Sequence, residues 1–499
     1  MKQNNNWGKR AAGILLPVSS LPSKYGIGTM GEQARKWVDF LHESKQSFWQ
    51  VLPLSQTGFG DSPYQSFSAF AGNPYLIELD ELREEGLLEA SDYKEIKWCN
   101  SDSQVDYYTL YKNREQVLRK AFSRFTDDDA LNGFIGYNQW LNEYALFMTI
   151  KELQGGVSWI EWNDSLRDRH HDAIEQIWRE NGDDIRYHCF VQYIFFKQWK
   201  ELKAYANDKG VQIIGDIPIY VSMDSADAWA KPELYQLGDN KRPSEISGCP
   251  PDSFAAGGQL WGNPLYDWGK MAQDGYGWWI ERFRKNFELY DVIRLDHFRG
   301  LESYFAIPAH DETAENGVWR PGPAFSFIDA IRNAMPEAKI IAEDLGFLTQ
   351  EVHKLLKYSG YPGMKIVQYA FDDREAGDYL PHNYDKNTIV YPGTHDNDTL
   401  KGWMKTAPKE CISDAMLYSG VRIKRELPDA MIRLTLGAPS VLAVVPMQDW
   451  LKLGSDARIN TPSTLGGKNW QWRMREKDIS SKLAKRIANL TSIFGRIPK

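Results

Sequence analysis

The ten residues Asp291-Val-Ile-Arg-Leu-Asp-His-Phe-Arg-Gly300 gather more reactive side chains than their neighbours. Val292 to Leu295 reads as a buried strand, and Arg294, Asp296, His297 and Arg299 crowd its C-terminal end. Side chains two apart on a strand point the same way, so Arg294 and Asp296 share a face. An arginine beside an aspartate favours the ionised carboxylate. An ionised carboxylate at a strand end is suited to nucleophilic attack on a glycosidic carbon. The same two residues also read as a structural ion pair at a loop entrance, because ion-pair networks perturb pKa values as well.

Two further acidic residues follow comparable apolar runs: Glu343 after Lys339-Ile-Ile-Ala342, and Asp396 after Thr388-Ile-Val-Tyr-Pro-Gly-Thr-His395. Neighbours on a strand face opposite ways, so only one of Glu343 and Asp344 can enter a common pocket. The apolar approach to Glu343 favours its protonated form, as a general acid requires. Asp344 is expected to cap the next segment. His395-Asp396-Asn397-Asp398 reads either as a helix N-cap or as a hard-cation cluster, although the rest of a calcium loop is missing.

These residues need elements to position them. Buried strands are expected at 13–18, 47–54, 212–221, 292–297, 339–346, 364–371, 388–396 and 440–449. Helical spacing occupies 31–42, 107–125, 137–153, 184–206, 324–335, 349–358, 414–436 and 479–490. Apolar strands alternating with helices imply a parallel sheet. Eight repeats imply an α/β fold of the (β/α)8 TIM-barrel type. The whole chain, 1–499, is expected to be one barrel with helical insertions at its C-terminal face. One insertion, 80–208, follows strand 2, and a second, 222–290, follows strand 3 and carries an active-site loop. Asp296, Glu343 and Asp396 then end strands four, five and seven. Those ends converge over the barrel mouth, where active sites of this architecture sit.

Composition narrows the function classes. The 499 residues carry a net charge of −8, which argues against a nucleic-acid surface. No run approaches about 18 apolar residues, so no membrane span is expected. Lys9-Arg10 before Ala11–Val18 faintly resembles a signal peptide, but Pro17 interrupts the apolar run and no small-residue cleavage site follows. Cys99, Cys189, Cys249 and Cys411 are scattered without ligand spacing, so neither a disulfide framework nor a zinc site is expected. A reducing, cytoplasmic location fits. The 19 Trp, 25 Tyr and 22 Phe fit either a large core or an aromatic groove for sugar rings.

Six further stretches carry a resemblance: Phe59-Gly-Asp-Ser-Pro-Tyr64 with Gly72-Asn-Pro-Tyr75, Gly215-Asp-Ile-Pro-Ile-Tyr220, Pro250-Pro-Asp-Ser-Phe254 with Gln259-Leu-Trp-Gly-Asn-Pro264, Arg294-Leu-Asp-His-Phe-Arg-Gly300, Ala342-Glu-Asp-Leu-Gly346 and Thr394-His-Asp-Asn-Asp398. In this order they resemble the 4-alpha-glucanotransferases of the amylomaltase type, glycoside hydrolase family 77, in the alpha-amylase clan. The resemblance covers essentially the whole chain. It implies Asp296 as nucleophile, Glu343 as acid/base and Asp396, beside His395, as the carboxylate that grips sugar hydroxyls. It implies that Arg294 holds Asp296 ionised, that Tyr64 contacts sugar near the cleaved bond and that Asp216 organises the floor. It places Asp252, Gln259 and Trp261 on a loop over the cleft and Asn460 on the donor side. It implies maltooligosaccharide and glucan substrates, glucose as an acceptor, and no metal or organic cofactor. Two rivals remain: an amylase-like hydrolase with the same carboxylates, and a non-catalytic glucan binder on an inactive barrel.

Overall fold

The computed structural model describes residues 7–58, 60–251, 257–371 and 377–498. Eight strands run parallel: β1 (Ala11–Leu15), β2 (Phe48–Gln50), β3 (Gln212–Ile217), β4 (Val292–Leu295), β5 (Ile340–Ala342), β6 (Gly363–Ile366), β7 (Thr388–Tyr391) and β8 (Leu442–Pro446). They pair in the order β6-β7-β8-β1-β2-β3-β4-β5. The Ala342 N–H donates to the Pro362 carbonyl at 3.0 Å, which joins β5 to the start of β6 and closes the ring. This is a (β/α)8 barrel.

Alternation along the strands divides its lumen into two zones. Leu15, Phe48, Ile214, Val292, Ile341, Met364, Ile366, Ile389, Tyr391, Leu442 and Val444 form one buried cluster separate from the main core. They are the inward side chains that fill the barrel. Two residues beyond Ile214, Val292 and Ile341 stand Asp216, Arg294 and Glu343. The inner face therefore changes from apolar to charged toward the C-terminal ends. Gly215 matters here, since a Cβ at that position would lie 2.1 Å from the Tyr290 ring, which packs behind Asp216.

Most outer-ring helices follow the apolar spacing. In Glu32–Glu43, residues Ala34, Trp37, Val38 and Leu41 turn one buried face to the barrel. The helix expected over 414–436 is two helices. Lys409–Ser419 ends at Gly420 with φ 72°, and Leu427–Gly437 starts anew with Pro428 in its first turn. After β6 the described residues carry only the 3-10 turns Val367–Phe371 and Pro381–Asn383 before β7.

Between β2 and β3 the chain forms the helices Leu79–Glu84, Tyr107–Arg124, Asp128–Tyr137, Trp140–Leu153, Asp164–Arg167, His171–Glu180 and Gly182–Asp208. The last belongs to the outer ring: Trp199 lies 6.4 Å from Trp49 of β2, and its indole N–H donates to the Leu289 carbonyl at 2.8 Å. His171–Glu180 buries no residue, in keeping with its charge. Lys151 Nζ meets Asp224 at 2.6 Å, which ties the helical block to the loop beyond β3.

After β3, strand Glu245–Cys249 pairs antiparallel with Gln259–Pro264 on one side and with Ser303–Pro308, after β4, on the other. Val318–Pro321 adds the outer edge. The sequence reading contained no hairpin at 303–321. Its second strand exposes every residue and so carries no alternation to read.

Candidate active site

The site grows from the charged upper layer of the lumen. Asp216 is on β3 and Arg294 faces it from β4 at the paired register position. The guanidinium bridges two carboxylates. Its Nη1 donates to both oxygens of Asp216, at 2.8 and 2.7 Å, and its Nη2 meets Asp296 Oδ1 at 2.8 Å. Asp296 is the first residue beyond β4, and its N–H donates to the Ile217 carbonyl at 3.0 Å. His297 then turns into the left-handed region at φ 49°, which aims its N–H at Glu343 Oε2, 2.7 Å away. The Leu345 N–H donates to the other oxygen, Oε1, at 2.8 Å. Glu343, the first residue beyond β5, is thus held by the backbone next to Asp296.

Asp344 points the other way, as neighbours on a strand must. It accepts the Met364 N–H at 2.6 Å, so it caps the start of β6.

Asp396 lies farther from its strand than expected. β7 ends at Tyr391, and Asp396 is five residues on, in a loop whose Asn397 Oδ1 accepts both the N–H and the hydroxyl of Thr394, at 2.9 and 3.1 Å. Asn460 Nδ2 donates to Asp396 Oδ1 at 2.6 Å, and His395 Nε2 is 3.4 Å from Oδ2. The Tyr64 hydroxyl donates to Asp216 Oδ2 at 2.7 Å and lies 3.0 Å from His395 Nε2, and the two rings stack at 5.4 Å. One hydrogen-bonded group therefore unites Tyr64, Asp216, Arg294, Asp296, His395, Asp396 and Asn460, and Glu343 adjoins it through the His297 amide. Trp261 joins at the side, its ring edge-on to His297 at 4.8 Å, with its indole N–H donating to Gln259 Oε1 at 3.1 Å. Asp252 lies outside the described residues, as does Phe59.

Three participants carried no assignment from the sequence. Trp470 places its ring 5.8 Å from Tyr64 and 6.1 Å from His395. Arg458 donates to the Asp396 carbonyl and, at 2.7 Å, to that of Asn460. His297 acts through its backbone amide. The two glycines before Lys468-Asn-Trp470 and the positive φ at residue 297 are the only local signals, and neither names a role.

Electrostatics depart from expectation at Asp296. Burial pushes its carboxyl up and Arg294 pulls it down, while Asp216, Glu343 and Asp396 push up again; the net direction is upward. Burial outweighs the pull of Arg294, which is also bound to Asp216. Glu343 is raised too, chiefly by burial, against the two backbone amides and Arg294. Burial lowers His395 and takes His297 down to about 3, so both rings are neutral. Asp296 keeps a direct guanidinium contact and a side chain 28% exposed. Glu343 is 8% exposed and touches no guanidinium. Of the two, Asp296 therefore has the contact that favours a charged carboxyl.

Among the described residues no group of three or more His, Cys, Asp or Glu could hold a metal ion. Asp398, the last acid of the suspected cation cluster, accepts the Thr399 N–H at 2.8 Å and the Ser455 hydroxyl at 2.7 Å. The helix N-cap in this region is Thr399, which accepts the Gly402 N–H at 3.0 Å.

Comparison with known proteins gives consistent matches. Residues 16–479 fit glycoside hydrolase family 77, described as 4-alpha-glucanotransferase. A 4-alpha-glucanotransferase of Clostridium butyricum is 45% identical over 484 residues, covering 96% of this chain and 99% of its own. That of Thermus thermophilus is 41% identical over 502 residues, covering 98% and 99%. A solved amylomaltase from Streptococcus agalactiae, in complex with acarbose, superposes with a TM-score of 0.96 at 41% identity, over 98% of this chain and 100% of the other. Amylomaltase from Corynebacterium glutamicum shares the fold, with a TM-score of 0.77 at 19% identity over 97% and 75% of the two chains.

Proposed function

The chain belongs to the 4-alpha-glucanotransferases of glycoside hydrolase family 77, and from that premise we propose that Asp296 and Glu343 perform a retaining double displacement on alpha-1,4-glucans. Glu343 gives its proton to the leaving glycosidic oxygen. Asp296 attacks the anomeric carbon as the bond to that oxygen breaks, and a covalent glycosyl-aspartate forms. The departing chain leaves with the proton as a free 4-hydroxyl. Glu343, now a carboxylate, takes the proton from the 4-hydroxyl of an acceptor glucan or glucose, whose oxygen displaces Asp296. Configuration is kept because the centre inverts twice.

Asp396 binds hydroxyls of the donor sugar, with Asn460 and His395 fixing its carboxylate. Arg294 orients Asp296 and compensates its charge, and Asp216 anchors Arg294. Tyr64 and Trp470 offer ring faces beside the donor sugar. Trp261, which lies on the strand Gln259–Pro264 rather than on a loop, keeps water from the intermediate so that a sugar wins.

The observation that supports this reading is the bond from the His297 amide to Glu343, since His297 directly follows Asp296. Retaining chemistry requires the two carboxyl groups about 5–5.5 Å apart. The test is the product ladder from maltotriose. Transfer gives glucose plus oligosaccharides longer than the substrate, whereas an amylase-like hydrolase gives only shorter ones. Asp296→Asn is expected to bind maltooligosaccharide without turnover. Full activity in that variant overturns the assignment, and a wild-type protein that binds but never turns over supports the inactive-scaffold reading.

A further inference from the structure

Four residues beyond Glu343 the chain presents Phe347, one of the most exposed large apolar side chains in the molecule at 70%. An exposed Phe alone means little, since single surface apolar residues are ordinary. This one is unusual in being both exposed and anchored. Gly346, at φ 85°, turns the backbone out of the barrel mouth just before it. The Phe347 carbonyl then accepts from Nη1 of Arg299, a side chain only 3% exposed. Arg299 is itself fixed. Its Nη2 donates to the Ser303 hydroxyl at 2.9 Å, and its guanidinium lies 3.6 Å above the Trp319 ring. A buried cation held on three sides is a costly way to support a loop that does nothing.

Direction follows from the reading of Glu343 as acid/base, on which this inference rests. That carboxyl must stand at the oxygen between donor and leaving chain. Residues continuing from it border the leaving and acceptor side. Four residues span at most roughly 14 Å, so Phe347 stays within a few sugar lengths of Glu343. We propose that Phe347 is a specificity-determining residue on the acceptor side, its ring receiving the apolar face of a sugar beyond the first acceptor glucose, with Arg299 as its positioning residue.

The test uses alpha-maltosyl fluoride as donor, because fluoride leaves the acceptor side empty, and compares glucose, maltose and maltotriose as acceptors. For Phe347→Ala the expected result is an acceptor KM raised about fivefold to tenfold for maltotriose, the scale of burying one ring face, with KM for glucose unchanged. Phe347→Trp should restore the maltotriose value. Equal changes for glucose and maltotriose, or no change for either, overturn the proposal. Glu343→Gln is measured in parallel. If it stays fully active, the reading of the site is wrong; if it is inactive while Phe347→Ala shows no length dependence, this inference alone fails.

Discussion

Replacing Glu343 by glutamine keeps the shape and removes the proton. Two effects should follow, of different size. As a general acid and then a general base, the carboxyl is worth about 10²–10⁴ in rate, or about 2.7–5.4 kcal/mol at 1.36 kcal/mol per decade. The structure adds a smaller cost. Each carboxyl oxygen accepts one backbone amide, from His297 at 2.7 Å and Leu345 at 2.8 Å. A glutamine has one accepting oxygen, so one buried N–H must face an NH2 group. Leaving one buried donor unpaired costs about 1–3 kcal/mol of stability. The variant should therefore melt earlier and release glucose from maltotriose at least a hundredfold more slowly. An aryl maltoside with an acidic phenol separates the two half-reactions. Its departure needs no proton, whereas the second step still needs the base, so the variant should release one phenol per site in a burst and then nearly stop. A kcat within tenfold of the unmodified enzyme on maltotriose, or steady phenol release without a burst, would refute the role given to Glu343.

Activity on maltotriose should be bell-shaped in pH. It needs Asp296 ionised, so it falls at low pH, and Glu343 protonated, so it falls at high pH; both carboxyls are pushed up, and the bell should sit above the ordinary carboxylate range. Asp396→Asn removes one charge that pushes Asp296 up, and the acid limb of kcat/KM should move to lower pH; an unmoved limb counts against that coupling. Tyr64→Phe loses the bonds to Asp216 and His395 and should lower kcat/KM by up to about tenfold, roughly the 0.5–1.5 kcal/mol of one hydrogen bond, as initial rates will report. Away from the site, Arg124 holds Asp92 down to about 2. Its contribution is present above the unfolded value near 4 and is lost as pH falls through about 2, so Asp92→Asn should cost about 1 kcal/mol at pH 7, after screening by water, and only a small part of that at pH 2 in urea titrations.

The barrel was legible because its strands are short apolar runs separated by helical stretches, and because Asp296 and Glu343 each stop such a run. What the sequence hid depends on pairing across distance. Nothing within Asp291–Gly300 says that Arg294 spends both Nη1 bonds on Asp216, which lies 78 positions earlier. Arg294 does meet Asp296, as expected, but its guanidinium is divided between two carboxylates. Trp470 and Arg458 lie in a polar loop without periodicity, so only the folded chain brings them to Tyr64 and Asp396. The division of 414–436 was readable in principle, since Gly420 and Pro428 are both helix punctuation. The edge strand Val318–Pro321 was not, because a strand exposed on all sides has no pattern to detect.

The placement of charge in the lumen explains why one barrel can be both rigid and reactive. The lower lumen is filled by apolar side chains that need no partners, so strand register is set there and the upper layer inherits it. In that upper layer Asp216 and Asp296 share one buried guanidinium, Arg294, and Glu343 and Asp396 add their charge nearby without touching it. Full neutralisation would leave no proton to donate, and no neutralisation would leave no ionised nucleophile. One cation bound doubly to Asp216 and singly to Asp296 gives an intermediate state, with Asp296 charged and the surplus negative charge relieved by a proton on Glu343. The backbone amides of His297 and Leu345 limit that relief, since they favour a carboxylate and so make the proton easier to release to a leaving oxygen. On the proposed mechanism, the arrangement that makes Glu343 an acid in the first step makes it a base in the second, and a proton held only loosely suits both.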